Sequence, residues 1–162
     1  MLKIGVLGAG HLGKIHIRLI KELTADFELV GFYDPSDENA RSAEEQYGVQ
    51  RFDSMEQLID AVDCIDIVTP TITHYECASL AIRKTKHVFV EKPMANSIGE
   101  CDLMTQAAAK YSRIMQVGQQ QRAGQAFIES RDLVKSGYLG KIRKVNIWSN
   151  FNYGLGNEIK PL

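Results

Sequence analysis

No stretch of this sequence stays apolar for the roughly 20 residues that a membrane-spanning helix requires, so none is expected. An excess of one charge is missing too: 19 Lys and Arg stand against 20 Asp and Glu, a formal net charge of −1. So balanced a chain carries no electrostatic footprint for nucleic acid or for an anionic membrane. Cysteine is scarce. Cys64, Cys77 and Cys101 are odd in number and lack metal-ligand spacing, which argues against a disulfide scaffold or a metal site and for reduced thiols. Strand-forming residues begin at Leu2 and leave no room for a signal peptide, so a cytoplasmic location is expected. Internal repeats and low-complexity tracts are absent, and the last histidine is His87.

What is present is a regular alternation. With 162 residues, 44% of them hydrophobic, the chain has material for one ordinary domain and a short appendage. Short apolar strands are expected at 3–7, 27–33, 50–52, 65–69, 87–90 and 114–117. Helices are expected between them, at 10–24, 36–47, 54–61, 73–84, 97–111 and 125–136. In the first helix the apolar positions at helical spacing are Leu12, Ile15, Leu19, Ile20 and Leu23. Ser36 reads as a helix cap, and Ser54 with Gln57, Thr73 with Glu76, and Ser97 with Glu100 as capping boxes. Strands joined by single helices imply right-handed crossovers and a parallel sheet covered on both faces. The fold class is therefore α/β, a doubly wound parallel sheet over residues 1–122. Residues 123–162 break the rhythm and read as a connecting helix and the first strand (141–151) of a second α/β domain.

Two motifs carry chemistry. In G8-A-G-H-L-G13 the first glycine permits a tight turn, the second lets backbone approach a phosphate, and the third allows helix and strand to pack closely. The free N–H groups and dipole of the following helix then hold the anion. Asp34 ends the second strand, 21 residues after Gly13, where a carboxylate accepts hydrogen bonds from ribose hydroxyls. That carboxylate repels a 2′-phosphate, and Pro35 and Ser36 add no positive charge, so NAD is favoured over NADP. The second motif is E91-K-P93 at a strand exit. Ligands bind outside the carboxyl ends of such strands, where Lys92 can stabilise a developing alkoxide and Glu91 can orient Lys92. By itself Glu-Lys-Pro is also an ordinary turn.

With T69-P-T-I-T-H74 and G118-Q-Q-Q-R122 in the same order and spacing, the chain resembles the N-terminal domain of the Gfo/Idh/MocA family (glucose–fructose oxidoreductase, inositol dehydrogenase and rhizopine-catabolism proteins). The resemblance implies a Rossmann fold and NAD contacts from Gly8, Gly10, His11, Leu12, Gly13 and Asp34. It puts Thr69 and Pro70 on the adenosine or ribose side and His74 beside the cofactor at a helix start. It sets Glu91 and Lys92 against the nicotinamide ribose and substrate, with Lys92 as the catalytic group, and Gln119 and Arg122 at the nicotinamide end. The implied substrate is a small sugar or polyol. His16 and His87 read as structural, and Trp148, with Asn150 and Tyr153, as strand-face packing.

One element of the family pattern is lacking. Its second domain supplies an Asp-x-x-x-His pair whose histidine is the general base, and nothing after Lys92 matches it. The chain alone is therefore expected to bind cofactor without turnover, as the NAD-binding portion of an oxidoreductase. The alternative is a non-catalytic nucleotide-binding module of the same fold, a homo-oligomer paired through the strand at 141–151.

Overall fold

In the computed structural model, which describes residues 1–147, five strands form one sheet: β1 (Leu2–Leu7), β2 (Phe27–Tyr33), β3 (Cys64–Ile67), β4 (His87–Glu91) and β5 (Met115–Gly118). All neighbours pair in parallel, in the order β2-β1-β3-β4-β5. Helices α1 (His11–Glu22), α2 (Asp37–Tyr47), α3 (Met55–Ala61), α4 (His74–Arg83) and α5 (Ile98–Lys110) fill the connections. The chain first steps outward from β1 to β2, then returns past β1 to β3. That reversal splays the connections apart and opens a crevice at the carboxyl ends of β1 and β3.

Period-two alternation in the strands separates two cores. Ile65, Ile67, Val88 and Val90 pack with Leu58, Ile82 and Met104. On the other face Ile4, Val6 and Phe32 pack with Ile17, Ile20, Ala40 and Ala43. Each large aliphatic side chain so buried contributes about 1.5–3 kcal/mol.

The expected caps differ in outcome. Ser36 and Ser54 each accept from the backbone N–H three residues on, and Ser97 with Glu100 forms a full reciprocal box. Thr73 does not cap α4. Its hydroxyl lies 2.8 Å from Thr69 Oγ1 and from the Pro70 carbonyl, because a 3-10 turn (Thr71–Thr73) precedes the helix and redirects it. The face of α1 is also corrected. Gly13, Ile17 and Ile20 face inward, while Leu12, Leu19 and Leu23 are exposed. The closest approach of α1 is at Gly13, which has no Cβ, and positions four and seven residues later share its side.

Residues 50–52, expected as a strand, make a single bridge at Phe32↔Arg51, since the Ser54 cap starts α3 almost at once. Residues 141–147 form no strand, and Ile142, Val145 and Ile147 are exposed. Alternation supplies a face, but a strand also needs a neighbour for its backbone donors and acceptors. Residues 148–151, with Trp148 and Asn150, and Tyr153 lie outside the described residues. The chain divides into two units, Met1–Gln119 and Gln120–Leu162. In the second, a 3-10 turn (Gln120–Ala123) leads into α6 (Gln125–Lys135). Among the described residues no helix is long and apolar enough to cross a membrane.

Candidate functional site

The turn out of β1 is shaped by three glycines with different tasks. Gly8 adopts φ +97°, and a Cβ there would lie 2.8 Å from the Val68 carbonyl oxygen at the exit of β3. A Cβ on Gly13 would collide with the carbonyl oxygen of Gly8, so α1 can begin against the strand only with glycine at that position. Gly10 is different: a Cβ on it would meet nothing within 4 Å. The folded chain has no use for the missing side chain, so the space fits a group outside the chain that must approach the backbone. Gly10 also caps α1 without a side-chain bond, and no acidic residue lies in the first turn. The leading N–H groups of α1 therefore keep their anion-binding capacity.

Asp34 stands directly beside this turn. It is 5% exposed, with Oδ2 accepting from the Ala9 N–H at 2.7 Å and Oδ1 from the Ser36 N–H at 2.8 Å. The same carboxylate thus ties the glycine turn to the end of β2 and to the start of α2. Each oxygen keeps a second lone pair for a hydroxyl donor. Arg51 is the cation drawn here, bonding the Asp34 carbonyl and Asp37 Oδ1.

Gly8, Gly10, His11, Leu12, Asp34, Thr69 and Pro70 line one cleft of about 690 Å³. Seven of the residues expected to contact the cofactor are thereby brought together. Tyr33, Met55 and Cys77 also line it and carried no motif signal. Gly13 is buried under the turn and shapes the cleft without lining it.

The remaining expected residues behave differently. His74 stands at the start of α4, yet it is 1% exposed, with Nδ1 2.9 Å from the Pro93 carbonyl and Nε2 2.9 Å from the Thr69 carbonyl. It staples the exits of β3 and β4 together and does not line the cleft; both ring nitrogens are committed to the chain itself. Lys92 is exposed just past β4, and its N–H donates to Glu91 Oε2 at 3.1 Å. Gln119 is exposed after β5. Arg122 is exposed in the 3-10 turn of the second unit.

Glu91 has a neighbour that sequence reasoning missed. His16 Nδ1 donates to Asp66 Oδ2 at 2.8 Å, and its Nε2 lies 3.7 Å from Glu91 Oε1. The bond to Asp66 holds the His16 pKa above its ordinary value, against burial and with help from Glu91. Burial pushes the Asp66 carboxyl up while His16 pulls it back.

Comparison with known proteins decides the kinship. The profile of an oxidoreductase family with an NAD-binding Rossmann fold matches residues 2–119. The chain belongs to that family. It is 32% identical to glucose-6-phosphate 3-dehydrogenase of Bacillus subtilis over 155 residues, which is 96% of this chain and 44% of that protein. It is 29% identical to myo-inositol 2-dehydrogenase of Thermotoga maritima over 151 residues, 91% of this chain and 45% of that protein. The structure of scyllo-inositol dehydrogenase from Lactobacillus casei with bound NAD(H) and scyllo-inositol superposes with a TM-score of 0.79 at 27% identity, over 86% of this chain and 42% of that one. This chain spans less than half the length of the curated relatives it matches. As part of this family it is an NAD-binding oxidoreductase domain, similar to those of sugar and polyol dehydrogenases.

Proposed function

We propose that this chain is the cofactor-binding portion of a cytoplasmic dehydrogenase that moves hydride between NAD and one carbinol carbon of a sugar or polyol. The observation that carries the reading is the buried Asp34 carboxylate set against a turn whose middle glycine faces open space. NAD, when bound, supplies the hydride acceptor. The free N–H groups at the start of α1 take the pyrophosphate, Asp34 accepts from the adenosine ribose, and Thr69 and Pro70 pack beside it. Lys92, exposed at the carboxyl end of β4, donates to the substrate oxygen and favours its alkoxide-like state. Removing the hydroxyl proton needs a base. Lysine serves as one where desolvation disfavours its charge, and an exposed Lys92 lacks that. The 162 residues alone therefore bind cofactor without turnover, and residues 123–162 begin a second domain that carries substrate contacts.

Cofactor choice follows from charge. A 2′-phosphate would meet the Asp34 carboxylate, and neither Pro35 nor Ser36 offsets it. Fluorescence titration should give saturable NADH binding, with NADPH weaker by at least about tenfold, or about 1.4 kcal/mol. Failure to bind NADH at millimolar concentration would overturn the reading.

A further inference from the structure

His16, Asp66 and Glu91 come from α1, β3 and β4 and meet on one face of the sheet. A carboxylate in the middle of a parallel sheet is costly to desolvate, and an apolar residue would pack there without that cost. Asp66 is 3% exposed, and its Oδ1 has no hydrogen-bond partner among the described residues. Its charge is therefore answered by His16. Glu91 is itself closely fixed. Oε2 accepts from the Lys92 N–H, and Oε1 faces His16. Oε1 also lies 2.6 Å from where a Cβ on Gly118 would stand, in the strand register Glu91↔Gly118. Gly118 thus leaves the space that the carboxylate occupies.

We propose that His16, anchored by Asp66, is a positioning residue that sets the Glu91 carboxylate and through it the backbone entering Lys92. The idea rests on the cofactor reading above, and its consequence falls on the nicotinamide half of the cofactor. The adenosine half falls to Asp34 and the glycine turn, and none of the three side chains lines the cleft there. The titratable groups facing His16 are Asp66 from β3 and Glu91 from β4; the Phe89 ring, 6.3 Å between centroids, covers it, and β5 contributes Gly118. The His16 pKa is raised chiefly by the hydrogen bond to Asp66, so the imidazolium persists above the ordinary histidine range and is lost as pH rises through the raised value. Glu91 then loses its cationic neighbour.

Two measurements on the full chain test this. Nitrogen NMR of the imidazoles should show His16 titrating above the ordinary range, and Glu91→Gln should lower it. A titration that Glu91→Gln leaves unchanged overturns the proposal without reference to any cofactor. The second measurement compares NADH with ADP, which keeps the pyrophosphate but lacks the nicotinamide and its ribose. His16→Gln should weaken NADH by about five- to tenfold, the scale of one hydrogen bond, and leave ADP within about twofold. Gly118→Ala displaces Glu91 while keeping all three ionisable groups, and should reproduce that selective loss should His16→Gln fail to fold. Equal loss for both ligands, or no loss, means that the triad merely staples α1 to the sheet, and the positioning proposal fails. If the unaltered chain binds neither ligand, the cofactor reading fails and the positioning proposal with it.

Discussion

The backbone N–H of Ala9 donates to Asp34 Oδ2 at 2.7 Å, joining the glycine turn after β1 to the first residue beyond β2. Asp34 is thus a structural anchor of the turn as well as a candidate ribose acceptor. Asp34→Ala should remove acceptors from the Ala9 and Ser36 amides and lower stability by about 1–3 kcal/mol. NADH affinity should fall, and pyrophosphate affinity should fall with it, because the loop that holds the anion is loosened. Urea unfolding that matches the parent protein would contradict this dual role.

The glycines of the turn should separate cleanly on substitution. Gly13→Ala forces a methyl group against the Gly8 carbonyl, and backbone rather than a flexible side chain must give way. Its cost should reach about 1–3 kcal/mol or more. Gly10 has φ −66° and ψ −165°, which alanine adopts without strain, and open space around it. Gly10→Ala should melt like the parent protein yet lose NADH binding. Equal effects of the two on the melting temperature would refute the assignment.

His74 predicts a stability loss with little polar character in the cleft. Removing its ring leaves the Thr69 and Pro93 carbonyls without this partner and opens a cavity under the 3-10 turn. His74→Ala should cost about 2–4 kcal/mol. In the cofactor titration its effect should track lost structure, so AMP and NADH should weaken together. A selective loss of NADH would show instead that His74 contacts the nicotinamide side.

The thiols should react in a fixed order. Burial pushes Cys64 up to about 12, and it pushes Cys77 up as well. Cys101 is only half-buried. In the folded protein at neutral pH, an aromatic disulfide reagent should modify Cys101 first, and Cys64 and Cys77 only on unfolding. Prompt modification of Cys64 would mean that this face of the sheet opens readily.

Much of this molecule was written locally. The turn at Gly8–Gly13, the serine caps at 36, 54 and 97, and the alternation of apolar strands with helices each act within a few residues. They specified α/β class and the parallel sheet, because caps, turns and periodicity depend on neighbours in sequence. Asp34 was legible for the same reason, as the acid that ends the second strand. Where a local signal needed a distant partner, reading the chain failed. Thr73 looked like a cap but bonds Thr69 and Pro70. The strand order β2-β1-β3-β4-β5 decided the rest. It brought His16, Asp66 and Glu91 together from three elements, and it turned His74 from an expected cofactor contact into a buried staple between two strand exits. Side chains 50 and 75 residues apart in sequence, His16 with Asp66 and with Glu91, meet only after the sheet is assembled, since their approach is set by long-range packing and not by propensity.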